Sequence, residues 1–285
     1  MLEKESVYVI IPVYNRKNIT LSCLDNLSKS GDLERYHAIV VDDGSTDGTT
    51  EAIQNLYPEV IVLSGDGNLW WTGAIKKGME YAINRSAKYL IWLNDDCLPE
   101  KSALQSLSHF LQNNPDTIIG ASCYNDGFNT LLESGFKGRA RVKASPSEVV
   151  VVDGLSGYCV GISTSIVDQI GFPDADRFPH YFGDVMYVLR ATQAKLKVCI
   201  LGSAKVILLG ENKTIHSLPN YLLKMSSMKL PLLFWNKKSQ YYLPAQFFYH
   251  IEKYNLPFGI LLFLIKTSWY LLQFIKIKYL SIFKS

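Results

Sequence analysis

The sequence predicts an α/β protein: a mostly parallel sheet covered by helices on both faces, followed by a helical tail of different character. Three observations carry this expectation. Short apolar runs alternate with helix-length amphipathic segments over about the first 120 residues, the pattern of consecutive βα units. Two of those runs end in acidic clusters, Asp42-Asp43-Gly44-Ser45-Thr46-Asp47 and Asn94-Asp95-Asp96. Ligands of open α/β sheets bind outside the carboxyl ends of the strands, which is where both clusters fall. Finally, the last stretch of the chain is apolar and basic rather than alternating.

In chain order, Val7–Ile11 is a continuous apolar run closed by Pro12-Val13-Tyr14-Asn15, a buried strand entering a loop. Asn18–Leu27 has helical spacing, with Ile19, Cys23 and Leu27 on one face. Ala38–Val41 is the second strand. Thr46-Asp47-Gly48-Thr49 offers capping oxygens for a helix ending near Leu56. Val60–Leu63 reads as a strand, Thr72–Arg85 as a helix, Tyr89–Leu93 as a strand, Ser102–Asn113 as a helix and Thr117–Gly120 as a short strand. The segment from Cys123 to Val152 is rich in Gly, Ser and charge, so loops and antiparallel strands are expected there. Ser163–Ile170 and Val185–Ala191 are short helices, and Lys205–Leu209 is a last β-like run.

The chain has 285 residues and a formal net charge of +3. That charge is unevenly placed: Ser217 to Ser285 holds nine Lys, no Arg and one acid, Glu252. The tail is therefore about +8 and the preceding body about −5. An acidic body with a basic, apolar tail is not the pattern of a nucleic-acid groove. The five cysteines (Cys23, Cys97, Cys123, Cys159, Cys199) are scattered with no C-x-x-C, which reads as reduced thiols and argues against zinc. Met1–Ser6 lacks the features of a signal peptide, so a cytoplasmic protein is expected.

Adjacent carboxylates at a strand end suit Mg²⁺ or Mn²⁺, hard ions that take oxygen ligands and leave positions open for phosphate. Asp96 and Asp95 are the candidates, with Asn94 a neutral oxygen; the same triplet also makes an ordinary turn before Pro99. Asp42 and Asp43 are placed to accept hydrogen bonds from a nucleoside's ring N–H or ribose hydroxyls, or to shape a loop and helix cap. Gly73 and Gly78 are spaced like phosphate-loop glycines, but Met79 stands where that motif needs Lys. No G-x-G-x-x-G follows the first strand, which counts against a dinucleotide fold. Trp70, Trp71, Tyr181 and Phe182 are aromatic surfaces for a sugar or base, or core residues.

The ordered set of motifs resembles the family 2 glycosyltransferases. Val9-Ile10-Ile11-Pro12-Val13-Tyr14-Asn15 is similar to the family's opening strand and loop. Val40-Val41-Asp42-Asp43-Gly44-Ser45-Thr46-Asp47-Gly48-Thr49 is nearly its full signature. Asn68, Gly73, Ala74 and Gly78 match its N-x-G-x-x-x-A-x-N-x-G stretch, with Lys77 replacing the second Asn. Asn94-Asp95-Asp96 stands where the family has D-x-D or N-x-D. Gly154–Ile162, Ile170-Gly171-Phe172-Pro173 and Phe178–Arg190 resemble its acceptor side.

The resemblance implies a GT-A fold, a Rossmann-like mixed sheet flanked by helices, over residues 1–215, with 216–285 as the tail. It implies a donor site for a nucleotide-diphosphate sugar from Pro12, Tyr14, Asn15, Asp42 and Asp43, continued by Asn68, Gly73, Asn94 and Asp95. Metal ligands would be Asp96 and Asp95, with His216 a weaker candidate. Asp184 falls at the family's general base, and Gly157, His180, Tyr181 and Arg190 at the acceptor side. The chain departs from the usual Glu-Asp-x-Asp: Gly183 replaces the Glu and Met186 the second Asp. The expected reaction is inverting transfer to a glycan or lipid-linked acceptor in bacterial surface-polysaccharide synthesis. The rivals are a sugar-nucleotide pyrophosphorylase-like enzyme, which wants a basic glycine-rich first loop, and an inactive scaffold.

In the tail, Leu256–Phe283 carries Gly259, Lys266, Gln273 and Lys276 on one narrow helical stripe, with Leu, Ile, Phe, Trp and Tyr elsewhere. A wide apolar face with a Lys stripe fits a helix lying in a membrane interface at the inner face of the cell membrane. Docking on protein is the alternative, and Lys266 counts against a span.

Overall fold

The computed structural model describes residues 4–125, 130–210 and 230–282. These divide into two compact units, one of Met1–Ala175 with Gly183–Gly210, the other of Asp176–Phe182 with Glu211–Ser285.

The first unit begins with β1 (Val7–Val13), α1 (Lys17–Ser30), α2 (Asp32–Arg35), β2 (His37–Asp42), α3 (Thr49–Leu56), β3 (Ile61–Ser64), α4 (Trp70–Ile83) and β4 (Tyr89–Leu93). The chain continues through β5 (Cys97–Pro99), α5 (Ala103–Asn113), β6 (Thr117–Asn125), β7 (Gly135–Lys137), β8 (Ala140–Val142), β9 (Val149–Val151) and β10 (Gly154–Leu155). It closes with β11 (Cys159–Ser163), α6 (Thr164–Ile170), α7 (Gly183–Gln193) and β12 (Lys197–Leu208). The main sheet runs β3-β2-β1-β4-β11-β6-β12-β5, with β9 also on β12; β10, β7 and β8 form a small second sheet.

The βα alternation of the sequence builds the parallel half, β3-β2-β1-β4. Beyond it the sheet is mixed. Strand β11 inserts antiparallel between β4 and β6. The expected short strand at Thr117 extends to nine residues because it pairs with β11 on one side and with β12 on the other. The expected run at Lys205 is the end of a twelve-residue β12, whose register shifts between Leu201 and Lys205.

Both faces are covered. Alternate side chains of β1 point to opposite sides. Val7, Val9, Ile11 and Val13 pack with Cys23, Leu24 and Leu27 of α1, Ile53 of α3 and Leu104, Leu107 and Leu111 of α5. Tyr8 and Ile10 pack with Ala74, Ile75 and Met79 of α4, Ile166 of α6 and Tyr187 and Val188 of α7. Gly78 is what lets α4 approach: a Cβ there would lie 3.3 Å from Val41 Cγ2 and nearer still to Ile10. The five cysteines are buried free thiols.

In the second unit, helices span Leu230–Trp235, Leu243–Tyr254 and Leu256–Ile282. The last two form a hairpin through Asn255, which has φ 64°. Gly259 lies against the backbone of His250 and Ile251, so a Cβ would sit 2.6 Å from Ile251 Cα. Leu233, Phe234, Tyr241 and Tyr270 form a small core. Arg177 pairs with Glu252, and Phe178 stands edge-on to Phe248 at 6.5 Å. Of the polar stripe, Gly259 is buried and Lys266 and Gln273 are half-buried within the unit, while Lys276 is exposed. The exposed face is instead apolar: Leu261, Leu264, Ile265, Trp269, Leu272 and Ile275. Leu256–Ile277 is long and apolar enough to cross a membrane by length and composition, with a mean hydropathy of 1.6.

Candidate active site

The order β2-β1-β4 places both acidic clusters at carboxyl ends of strands that flank β1. Two strand spacings separate them, roughly 10 Å. The loop that follows β1 lies between.

The first cluster is bound into its own surroundings. Asp42 is buried; its Oδ1 accepts the Ser45 N–H at 2.8 Å and its Oδ2 the Thr50 hydroxyl at 2.5 Å. Asp43 is also buried, and its carboxylate gathers the loop before α4. Oδ1 accepts the N–H groups of Gly67 (2.9 Å) and Leu69 (3.1 Å), and Oδ2 that of Trp70 (2.9 Å). Gly65 has no space for a side chain, since a Cβ would fall 2.8 Å from Asp43 Cα. Asp47 Oδ1 accepts the Thr49 hydroxyl at 2.5 Å and the Thr49 N–H at 3.2 Å, and its Oδ2 the Lys17 N–H at 2.9 Å, which hold its carboxyl below the ordinary range.

The second cluster is held from across the chain. Arg16, immediately before α1, donates Nη2 to Asp96 Oδ2 and forms an ion pair through Nη1 with Asp95 Oδ1, each at 3.0 Å. Thr20, one turn into α1, donates its hydroxyl to Asp95 Oδ2 at 3.1 Å. Asp95 is 2% exposed and Asp96 31%. Burial pushes the Asp95 carboxyl up to about 6, against the opposing pull of Arg16. Asn15 has φ 51° and turns the other way: its N–H donates to Ser45 Oγ at 2.8 Å, and its Oδ1 accepts the Thr46 N–H at 2.7 Å. Pro12 is a half-buried residue of β1 opposite Val41, and Tyr14 is exposed on the loop. Asn68 is exposed on the Asp43-held loop, and Gly73 is buried in the first turn of α4.

Asp184 sits in the first turn of α7. Its Oδ2 accepts the Gly157 N–H at 2.6 Å. Burial lifts its carboxyl above the ordinary range, opposed by backbone N–H groups of Val185 and Gly157 and by Arg141. Gly157 is wedged: a Cβ would lie 2.8 Å from Trp71 Cζ2 and 2.9 Å from Asp184 Cβ. Trp71 in turn donates its indole N–H to Asn94 Oδ1 at 2.8 Å and stands edge-on to Trp92 at 5.7 Å. A contiguous path, Asp184–Gly157–Trp71–Asn94, therefore runs to the second acidic cluster. Arg190 directs one arm to the carbonyls of Ile170 (2.9 Å) and Phe172 (3.0 Å), clamping the turn at Gly171. The two departures from the expected motif have packing reasons. A Cβ at Gly183 would run into the Thr72 side chain, and Met186 is buried.

His180 and Tyr181 belong to the second unit, their rings edge-on at 4.9 Å. Burial and Lys238 lower the His180 imidazole to about 4. His216 lies outside the described residues.

Asp95 and Asp96 supply the hard oxygen donors that Mg²⁺ or Mn²⁺ takes, and a cation, the Arg16 guanidinium, already lies against both. The pair fits a divalent ion. Among the described residues no three His, Cys, Asp or Glu side chains converge, so further oxygens would come from elsewhere.

The sequence profile of Glycosyl transferase family 2 matches residues 8–171, which include both clusters, the α4 loop and Gly157. The chain belongs to this family. Its fold is GT-A. Glycosyltransferase AglE of Haloferax volcanii is 26% identical over 198 residues, covering 66% of this chain and 62% of AglE. A poly(ribitol-phosphate) beta-glucosyltransferase of Bacillus spizizenii is 28% identical over 120 residues, 40% of this chain and 18% of that protein. The chain thus spans less than two thirds of the length of these curated relatives. Among solved structures, the mannosyltransferase PcManGT from Pyrobaculum calidifontis, in complex with GDP-Man and Mn²⁺, superposes with a TM-score of 0.57 at 16% identity, over 78% of this chain and 62% of that one. That protein shares the fold.

Two features were not anticipated from the sequence. The residue after the opening motif, Arg16, proves to be the counter-charge of the second cluster, and Trp71 links that cluster to Asp184. A lone Arg after Asn15 carries no signature; the indole N–H of Trp71 beside a strand-end Asn would have been the only hint.

Proposed function

We propose that this family 2 glycosyltransferase moves a sugar from a nucleotide-diphosphate donor to a glycan or lipid-linked acceptor with inversion, using Mg²⁺ or Mn²⁺, in bacterial surface-polysaccharide synthesis. The observation that carries the reading is the placement of Asp184: a carboxylate lifted by burial, at a helix start, joined by contact to the Asn94–Asp96 strand end. A base whose affinity for protons is raised toward working pH removes a hydroxyl proton more effectively. The acceptor hydroxyl gives its proton to Asp184 as its oxygen bonds to the anomeric carbon; the bond from that carbon to the diphosphate oxygen breaks on the opposite face. A metal ion held by Asp95 and Asp96 would offset the charge of the leaving diphosphate. The loops fastened by Asp43 and Asn15 form the wall for the nucleoside. The mannosyltransferase solved with GDP-Man and Mn²⁺ supports the donor class and the ion, and the poly(ribitol-phosphate) relative supports the polymer setting.

The test is transfer and nucleotide binding over a sugar-nucleotide panel with Mg²⁺ or Mn²⁺. Asp184→Asn should lower transfer about 10²–10⁴-fold while nucleotide binding persists. Because transfer needs the ionised base, kcat/KM should fall as pH drops through the Asp184 pKa, on a limb lying above the ordinary 3.8. Unchanged transfer in Asp184→Asn removes the base assignment, and a protein that binds no sugar nucleotide of the panel removes the function.

The apolar outer face of Leu256–Ile282 is the surface we assign to the inner leaflet of the cell membrane. Gly259, Lys266 and Gln273 of its polar stripe turn toward its own unit while Lys276 is exposed, so the apolar outward side is what a lipid phase would receive. Removing residues 256–285 should abolish cosedimentation with liposomes; retained cosedimentation would refute the assignment.

A further inference from the structure

Resting on the metal-dependent reading above, we propose that Arg16 is the resident counter-cation of the Asp95–Asp96 pair and that a divalent ion must displace its guanidinium to bind. Both arms of the fork are committed, one to each carboxylate, at 3.0 Å. The guanidinium takes one oxygen of each of the two groups that would ligate the metal, Asp95 Oδ1 and Asp96 Oδ2. The remaining Asp95 oxygen, Oδ2, lies 3.1 Å from the Thr20 hydroxyl, whose one proton is shared with the Arg16 carbonyl at 3.0 Å. Both oxygens of the buried aspartate are therefore contacted by α1 and the residue before it. A divalent ion reaching Asp95 competes directly with Arg16 for the same atoms. The arrangement has an electrostatic reason: two adjacent carboxylates, one of them almost wholly inside, repel each other and cannot both stay ionised without a cation. Arg16 supplies that cation before any metal arrives. It can also yield, because its own side chain is 39% exposed and has solvent to enter. Once released, the fork is a planar set of donors matched to phosphate oxygens, beside the site where the diphosphate would lie.

The experiment is direct Mn²⁺ binding by electron paramagnetic resonance, without nucleotide, on the full chain. The variants are wild type, Arg16→Gln, Arg16→Lys and Asp96→Asn. The expected result is Mn²⁺ binding about three- to tenfold tighter in Arg16→Gln than in wild type. Arg16→Lys, which keeps the charge but not the fork, should fall between, and Asp96→Asn should lose the site. Thermal melts give a second readout that survives a loss of stability: Arg16→Gln should melt lower without metal and gain more from Mn²⁺ than wild type does. Equal or weaker Mn²⁺ binding in Arg16→Gln, with Asp96→Asn still defective, overturns the displacement and leaves the metal site standing. Mn²⁺ binding that Asp96→Asn does not change overturns both.

Discussion

The loops after β2 and β4 each present two adjacent aspartates at the end of a parallel strand, and their carboxylates are occupied differently. In the first loop the partners are neutral: the Ser45 N–H and the Thr50 hydroxyl close by, and the Gly67, Leu69 and Trp70 N–H groups of the loop before α4. In the second, a full positive charge from another loop spans the pair, and one carboxylate is partly open to solvent. A carboxylate surrounded by backbone N–H groups is fastened and organises a loop. A carboxylate neutralised by a mobile side chain can exchange that partner for another cation. Two Asp-Asp pairs that look alike in sequence thus differ in the kind of donor each receives, the contrast on which the proposed division into scaffold and site rests.

The largest effect that tests this contrast is on transfer. Asp96→Asn should lower the rate about 10²–10³-fold, with a melting temperature near that of wild type. Initial rates and scanning fluorimetry on the same samples would show it, and a large destabilisation would move Asp96 into the scaffold class. The next effect is on stability. Asp43→Ala strips acceptors from three N–H groups and should cost about 2–4 kcal/mol in urea unfolding, against about 1–2 kcal/mol for Asp42→Ala. If Asp43→Ala unfolds at the wild-type midpoint, the first pair is not a fastening. The smallest effect lies in single hydroxyls. Thr50→Val, which removes one donor from Asp42, should cost about 1 kcal/mol without altering Mn²⁺ binding. An altered Mn²⁺ affinity in that variant would erase the division between the pairs.

Much of the fold was legible because it is local. Apolar runs of four or five residues bounded by turns identified β1, β2 and β4, and the helical spacing of Cys23 and Leu27 identified the buried face of α1. Non-local pairing was less so: nothing in Cys159–Ser163 says that it will lie antiparallel between β4 and β6. The candidate site was legible as a set of motifs but not as an assembly. Gly183 reads as a departure from a pattern until Thr72, more than a hundred positions earlier, is found filling the space a side chain would need. The polar stripe of the last helix was visible as a periodicity, yet periodicity cannot tell whether a stripe faces water or the neighbouring helix; here Gly259 lies against the backbone of His250 and Ile251 while Lys276 is exposed.

Asn15 and Arg16 are consecutive, and each holds a different acidic loop: Asn15 the Ser45-Thr46 turn, Arg16 the Asp95–Asp96 pair. One peptide unit is therefore a lever with a load at either end. If releasing the Arg16 side chain is felt at Asn15, the two acidic loops are thermodynamically linked. Such linkage is reciprocal: whatever factor Mn²⁺ adds to the binding of a nucleoside without phosphates, that nucleoside must add to the binding of Mn²⁺. Calorimetric titrations in both orders measure the factor, and Asn15→Ala, which cuts one end of the lever, should bring it toward one.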